Sequence, residues 1–205
     1  MSIDVGGCRV DVLPVVKGLV SEAAKVREAY GAHEAYGVAL GIEEMTAVAR
    51  RGEMNGECEL SEVDLVYAHR LSAFGDVTAP APAFCEIVDL CLADGESAIP
   101  LDMNNDLFSA EYVKNVGILE FVSEHGMAKK GMKKRLDASS PEAFAKDWDA
   151  FINKSKGFAR LARLREAHMA GQIMETAKYR GSLLAVIDVE RAGGVFCLLG
   201  GTERD

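Results

Sequence analysis

Short apolar runs and helical patterns alternate along the chain. Four runs are rich in apolar and β-branched residues and are bounded by turn residues, which predicts strands. They cover residues 9–16, 35–40, 97–101 and 183–189. Between them, apolar positions recur with the spacing of amphipathic helices, and such alternation is typical of an α/β protein. We therefore expect a small, mostly parallel or mixed sheet of about four strands surrounded by helices.

Start and stop signals place the intervening helices. Ser21, Ser61 and Ser140 have the residue type of N-caps, and Pro141 suits the first position of a helix. Helices are predicted at residues 21–30, 42–51, 61–74, 83–93, 107–125 and 158–177, with one more beginning at Ser140. Residues 52–59 and the Gly193-Gly194 pair are predicted to be loops or turns, because glycine and asparagine interrupt regular structure.

The composition is that of an ordinary folded domain. Hydrophobic residues make up 49% and charged residues 27% of the 205 residues, so we expect a single domain, residues 1–205, with a core of useful size. The formal net charge of −9 argues against nucleic acid as a partner, because phosphates require a basic protein face. The basic cluster at residues 129–135 is expected to be a solvated loop or helix face.

The sequence shows no pattern of a targeting segment, a membrane span or a known catalytic or metal-binding motif. No stretch has the pattern of a signal peptide or a membrane span, and the five cysteines contain no Cys-x-x-Cys pair. We therefore expect reduced, mostly buried thiols in a cytoplasmic protein that does not bind membranes. The four histidines form no ligand pair, and neither a nucleotide-binding motif nor a Gly-x-Ser-x-Gly motif is present.

Polar residues that follow the predicted strands are the first candidates for a functional site, because ligands bind beyond the carboxyl ends of parallel strands. Lys17 follows the first strand, Asp102 follows the third, and Asp188, Glu190 and Arg191 lie at or after the end of the last. Asp102 is equally compatible with a helix cap and with a metal ligand or general base.

The long helical segment at residues 156–178 adds Arg165 and Glu166. At about 100° per residue, both fall inside an apolar stripe. The stripe consists of Phe158, Ala162, Met169, Ile173 and Ala177. Charges in a buried stripe are unfavourable unless they are paired or used. The two side chains therefore either reach solvent or a neighbouring charge, or form part of a binding site.

The order of these pieces resembles the TraB/PrgY (TIKI-like) family, part of a wider set of metal-dependent hydrolases with ChaN-like and erythromycin-esterase-like domains. Val-Lys-Gly-Leu-Val-Ser-Glu at 16–22 resembles a family strand ending in Gly-x-x-His followed by Val-Ser. Tyr-Gly-Val-Ala-Leu-Gly at 36–41 resembles a strand ending in glutamate, and residues 94–103 resemble a Gly-apolar-Asp-Arg strand. Arg-Glu-Ala-His-Met-Ala at 165–170, with residues 186–195, resembles Glu-Arg-Asp-x-x-Met-Ala followed by a strand and Gly-x-Gly-His. The resemblance spans about residues 10–199.

Most positions that the resemblance assigns to the family's metal site carry other residues. Leu19 stands at the histidine, Ala39 at the strand-two glutamate, and Leu164 at the glutamate before the arginine; Glu190-Arg191 replaces the final Gly-His. Asp102, Arg165 and Glu166 are retained. Because leucine and alanine cannot bind a metal, the resemblance implies that the fold is kept and the hydrolase activity is lost.

These observations predict a TraB-like, non-catalytic binding or regulatory protein without a metal or cofactor. A polar pocket at the carboxyl ends of the strands would hold a small anionic ligand, with arginine forks binding its carboxylate. The predicted pocket residues are Lys17, Asp102, Arg165, Glu166, Glu190 and Arg191.

Two alternatives stay open. In the first, the chain is a hydrolase with a carboxylate-rich site for Mg²⁺ or Mn²⁺, in which Arg165 stabilises developing negative charge. The metal ligands would be Asp102, Glu166, Asp188 and Glu190. In the second, the chain is a structural homodimer module. Phe144, Trp148 and Phe151, which share one face of the helix that begins at Ser140, would then form the interface instead of a core face.

Overall fold

One mixed β-sheet lies at the centre of the molecule. The computed structural model describes residues 1–53, 60–124 and 126–202. The strands in these residues are β1 (Ser2–Val5), β2 (Cys8–Val15), β3 (Ala35–Val38), β4 (Ile99–Pro100) and β5 (Ser182–Asp188). Their order across the sheet is β1-β2-β5-β3-β4. β1 runs antiparallel to β2, and the other neighbours are parallel.

Ten helices surround the sheet within the described residues, which confirms the predicted α/β class. They are α1 (Glu22–Ala29), α2 (Ile42–Ala49), α3 (Glu62–Leu71), α4 (Pro82–Ala93), α5 (Asn105–Asn115), α6 (Ile118–Glu124), α7 (Met127–Lys133), α8 (Pro141–Ile152), α9 (Lys156–Ala177) and α10 (Val189–Leu198). The Ser61 and Ser140 hydroxyls accept backbone N–H bonds of 3.2 and 3.1 Å and cap α3 and α8 as predicted. Ser21 precedes α1 without a side-chain capping bond.

The strand predicted at residues 183–189 is confirmed as β5, and it lies between β2 and β3 in the sheet. Its residues 183–187 are each at most 2% exposed. A continuous apolar run is expected for a parallel strand that is buried on both faces. β5 is therefore a buried strand of the sheet, and it ends at Asp188.

The prediction of about four strands missed β1. β1 has four residues, and two glycines with positive φ, Gly6 at 63° and Gly7 at 94°, connect it to β2. A Gly-Gly pair between two short runs is a hairpin signal, so the sequence did carry evidence for this strand. The predicted third strand is confirmed only as the two-residue β4 at the edge of the sheet. Pro100 has no N–H to donate, which suits an edge position.

Two predictions about helices were wrong. The segment at 107–125 is not one helix, because the chain is extended at Val116 (φ −95°, ψ 115°) between α5 and α6. The Gly193-Gly194 pair does not form a loop, because it lies inside α10. At Gly194 a Cβ atom would collide with the Glu166 carboxylate, so glycine at this position permits close packing of α10 against α9. The loop predicted at 52–59, with Cys58, lies largely outside the described residues, as does His125.

The hydrophobic interior has two parts. The larger one surrounds β2, β3 and β5. The smaller one contains Leu19, Leu71, Phe144, Trp148 and Val189, with Phe151 packed against it. Phe144 is 2% and Trp148 is 7% exposed, so this face of α8 is core within the chain. The homodimer alternative, which uses this face as an interface, stays a prediction.

Smaller predictions have mixed outcomes. The basic cluster includes part of α7, and its Lys and Arg residues are exposed, as expected for a solvated helix face. No disulfide links the four cysteines in the described ranges; Cys8 and Cys91 are buried, Cys85 is half-buried and Cys197 is exposed. In the described part of the chain, no helix combines the length and apolar character that a membrane span requires.

Candidate polar site at the carboxyl edge of the sheet

The parallel strands bring polar residues from distant parts of the sequence to one edge of the sheet. Lys17 follows β2, Asp188 ends β5, and Asp102 follows β4. Because these strands are parallel, their carboxyl ends share the same edge. α10 begins directly after Asp188, so Glu190 and Arg191 project from its first turn.

A crevice of about 250 Å³ opens at this edge. One part of its wall is charged and comes from the strand ends, α8, α9 and α10. The other part is largely apolar and comes from α5, α8 and α9. The lining residues are Lys17, Asp149, Asn153, Arg165, Asp188, Glu190 and Arg191 on the polar side, and Phe108, Tyr112, Ile152, Phe158, Leu161 and Ala162 on the other.

Arg165 pairs with Asp102 across the edge of the sheet. Its Nε donates to Asp102 Oδ2 at 3.0 Å, and its Nη2 donates to the same oxygen. Asp102 is 6% exposed and also accepts the Met103 backbone N–H at 2.8 Å. Burial opposes the charge of Arg165, but the hydrogen bond and the negative charge of Asp102 outweigh it and raise the pKa of Arg165. The ring of Phe108 lies 6.0 Å from the guanidinium carbon.

Arg191 is the centre of a second ionic group. Its Nη1 donates to Glu166 Oε1 at 3.1 Å, and its Nη2 donates to Asp149. Arg191 is 6% exposed, whereas Glu166 and Asp149 are partly exposed. Asn153 donates a further bond of 2.7 Å to Asp149. Burial is the main reason why the pKa of Asp149 is raised, although the charge of Arg191 partly offsets it.

The two charged residues inside the stripe of α9 therefore have different partners. Arg165 binds Asp102 and Glu166 binds Arg191, which agrees with the expectation that charges in this stripe are paired. Four of the six predicted pocket residues, Lys17, Arg165, Glu190 and Arg191, line the crevice directly. Asp102 and Glu166 lie behind them, bonded to the two arginines. The six residues converge on one place, and their role in ligand binding stays a prediction.

Three buried polar atoms near the crevice have no hydrogen-bond partner among the described residues. They are Asp188 Oδ1, Glu190 Oε2 and the Tyr67 hydroxyl. Asp188 is 6% exposed. Burial followed by the negative charge of Asp188 raises the pKa of Glu190 to about 8. Burial also raises the pKa of Asp188. Burial, followed by the negative charges of Glu190 and Asp188, raises the pKa of Tyr67.

Lys17 is the cation of the crevice that has no ion pair with any residue in the described ranges. Its side chain is exposed to the crevice, although protein surrounds it on several sides. The surrounding protein disfavours its charge, but the negative charges of Asp188, Glu44 and Asp64 outweigh that effect and raise the pKa of Lys17. Lys17 therefore lines the crevice as a charged group.

The carboxylates of the metal alternative do not gather into one cluster. Within residues 1–53, 60–124 and 126–202, no three His, Cys, Asp or Glu side chains lie close enough together to hold a metal ion. Asp102 belongs to the Arg165 pair and Glu166 to the Arg191 group, while Asp188 and Glu190 lie between them. This division gives the metal alternative no structural support.

Several residues of the site were not predicted from the sequence. Asp149 lies on α8 one position after buried Trp148, and a single acidic residue on an amphipathic helix is usually solvated. Tyr67 on α3 and the aromatic wall from α5 carried no signal that connects them to the strand ends. Phe158 was recognised only as part of the stripe of α9. Tertiary packing alone brings these residues to the crevice.

The described fold and crevice define an α/β protein with a polar site beyond the carboxyl ends of its parallel strands. No family model, curated protein or solved structure matches the chain.

Proposed function

We propose that this chain is a small-molecule binding or regulatory protein, TraB-like in fold and without the family's metal-dependent hydrolase activity, whose ligand occupies the crevice. One observation carries the proposal: Asp188 and Glu190 hold buried oxygens without partners beside Lys17, which has no ion pair among the described residues. Buried polar groups in proteins almost always have hydrogen-bond partners. A ligand that supplies partners to all three groups accounts for their position in a crevice.

Both arginines of the crevice already bond carboxylates of the chain. Two donors of Arg165 are already bound to Asp102, and two donors of Arg191 are bound to Glu166 and Asp149. Each guanidinium keeps further N–H donors, but its positive charge is already offset by protein carboxylates. Lys17 is therefore the group that we assign to an anionic part of the ligand.

The positions at which the family resemblance places metal ligands support a binding role over hydrolysis. Leu19 is 3% exposed in the smaller core, and Ala39 is 4% exposed in the larger core. Apolar side chains at both positions remove an imidazole and a carboxylate from the expected metal set. A hydrolytic water activated by a metal has no ligand set at this edge of the sheet in the described residues.

Backbone amide NMR shifts test the proposal directly, because they report where on the protein a compound binds. The ¹⁵N-labelled protein is titrated with a library of carboxylates, phosphates, amines and amino acids, and separately with Mg²⁺ and Mn²⁺. We expect at least one compound to shift amides at the strand ends, at Gly18, Met103 and residues 189–191. The amides of Gly6, Gly7 and Gly31, which lie at turns away from the crevice residues, serve as the internal control.

Two results would contradict the proposal. Shifts that are confined to the surface groove lined by Arg27, Arg51 and Glu86 would place binding elsewhere. Saturable binding of Mn²⁺ at the strand ends, together with hydrolysis of a phosphate or ester substrate, would favour the hydrolase alternative.

A further inference from the structure

The charges around the crevice do not balance. Its cations are Lys17, Arg165 and Arg191, and its carboxyl groups are Asp102, Asp149, Glu166, Asp188 and Glu190. The Arg165–Asp102 pair is neutral, whereas one Arg191 serves both Glu166 and Asp149. Lys17 is then the remaining cation for Asp188 and Glu190, and the negative charges of Glu44 and Asp64 also act on it. Even with Glu190 protonated, as its pKa of about 8 favours at neutral pH, four carboxylates face three cations. An anion alone would add to this excess of negative charge, so an anionic group on the ligand needs a cationic group beside it.

We propose that the ligand of this crevice is a small zwitterion of the amino-acid type, whose ammonium group is bound by Asp188 and Glu190 and whose carboxylate is bound by Lys17. This inference rests on the proposed function, because it names the chemical class of the ligand in the same crevice. An ammonium group has three N–H donors. It can therefore serve the unpartnered oxygens Asp188 Oδ1 and Glu190 Oε2 together.

An organic cation fits these oxygens better than a metal ion does. Mg²⁺ and Ca²⁺ take six or more oxygen ligands in compact geometry, and no group of three potential ligands occurs in the described ranges. Two carboxyl groups are sufficient to accept hydrogen bonds from an ammonium group.

The opposite wall gives the expected size and character of the rest of the ligand. Phe108, Tyr112, Phe158 and Leu161 present apolar surface to the crevice. Pockets for drug-sized ligands have volumes of roughly 300–1,000 Å³, and this crevice, at about 250 Å³, lies below that range. A molecule of amino-acid size with an aliphatic or aromatic side chain matches both the volume and the apolar wall.

Isothermal titration calorimetry with matched analogues tests the two charges of the ligand separately. The proteinogenic amino acids are titrated first, and the best binder is then compared with its N-acetyl derivative and with its carboxamide. We expect saturable binding of at least one apolar amino acid. Each analogue should bind at least about tenfold more weakly, because each leaves a charged group of the site without its partner.

Variants assign each charge to its side chain. Glu190→Gln should weaken binding of the amino acid at least about tenfold and reduce the discrimination against the N-acetyl analogue. Lys17→Met should also weaken binding of the amino acid at least about tenfold, and it should reduce the discrimination against the carboxamide analogue. Glu28→Gln and Lys146→Met change exposed residues away from the crevice and are the matched controls, for which we expect unchanged binding. Circular dichroism of all four variants checks that each one is folded.

The outcomes separate this inference from the proposed function. Equal binding of the amino acid and its N-acetyl analogue would overturn the inference that the ligand is a zwitterion. Binding of no amino acid at all would also overturn it. If other library compounds still shift the amides at the strand ends, the proposed function stands with a different ligand class. If nothing in the library binds there, both proposals fail.

Discussion

At the scale of single residues, the site is defined by which charges have partners. The sequence indicated that Arg165 and Glu166 lie in the apolar stripe of α9, and both are indeed held by opposite charges. It could not indicate which ones, because Asp102 is 63 positions and Arg191 is 25 positions away along the chain. Asp188 and Glu190 were found from their position at a strand end. That their oxygens lack partners depends on packing that no local pattern encodes.

The raised pKa of Glu190 predicts a loss of stability at alkaline pH. An acid whose pKa is higher in the folded than in the unfolded chain binds its proton more tightly when folded. Stability is therefore present below its ordinary pKa of 4.5 and falls as the pH rises toward the folded-state pKa of about 8. The Glu190→Gln variant has no such proton to lose.

Denaturant unfolding at about pH 5 and about pH 9 measures this difference. We expect the wild type to lose roughly 4 kcal/mol more unfolding free energy than Glu190→Gln between the two pH values. About three pH units lie between pH 5 and the folded-state pKa of about 8, and each corresponds to about 1.4 kcal/mol. Glu28→Gln, at an exposed position, should follow the wild type. A variant at position 190 that loses as much stability as the wild type would refute the buried state of this carboxyl group.

The ion pairs of Arg191 predict that its replacement destabilises the protein. Its guanidinium is 6% exposed and holds both Glu166 and Asp149. Arg191→Met leaves two carboxylates without their cation, and loss of one partner from a buried ion pair costs about 3–5 kcal/mol. Because Glu166 and Asp149 are partly exposed, we expect a loss of about 2–4 kcal/mol in urea unfolding. Arg163→Met on the exposed side of α9 is the control, and equal losses for the two variants would contradict this role.

At the scale of elements, the pattern of the chain predicted what is buried and regular. β2, β3, β5 and α9 were found because apolar periodicity is strongest where an element is covered by others. The pattern failed for β1, for the break between α5 and α6, and for α10. α10 was missed because two adjacent glycines normally end a helix, whereas Gly194 is used here to admit the Glu166 carboxylate. Contacts between elements, not local preference, decide such positions.

The turn after β3 offers a test of how closely these elements approach. A Cβ atom on Gly41 would lie 2.5 Å from the Met103 carbonyl oxygen, next to Asp102. The backbone carbonyl of Met103 cannot rotate away as the end of a flexible side chain can. Overpacking of this kind lowers the free energy of unfolding by about 1–3 kcal/mol. We expect Gly41→Ala to lower the free energy of unfolding by that amount.

Gly171 is the matched control because it lies in α9, where a methyl group at this position would have no neighbouring atom within 4 Å. Gly171→Ala should leave stability unchanged or raise it by up to about 1 kcal/mol, owing to the higher helix propensity of alanine. Thermal unfolding of both variants gives the comparison. Equal effects in the two variants would mean that the strand-end turns are not in close contact.

At the scale of the whole molecule, the fold class followed from the order of strands and helices, but the division of the interior into two parts did not. The smaller hydrophobic part lies under α3 and α8 and contains Trp148. Sequence periodicity identified the face that Phe144, Trp148 and Phe151 share but could not say what covers it. The structure shows that other parts of the same chain cover it.

The single tryptophan of the chain reports on whether the two parts unfold together. If residues 1–205 form one cooperative domain, as the sequence predicts, Trp148 fluorescence and far-ultraviolet circular dichroism should give the same urea midpoint. We expect coincident curves. A fluorescence transition that precedes the loss of helix signal would show that the part around α3 and α8 unfolds independently and would contradict a single domain.

The central claim is that the crevice at the carboxyl edge of the sheet binds the ligand. A crystal structure of the protein grown with the amino acid that binds most tightly tests this claim most directly. We predict electron density for the amino acid in the crevice, with its ammonium group at Asp188 and Glu190 and its carboxylate at Lys17. Density for the amino acid at another surface, with only ordered water between these three side chains, would contradict the claim.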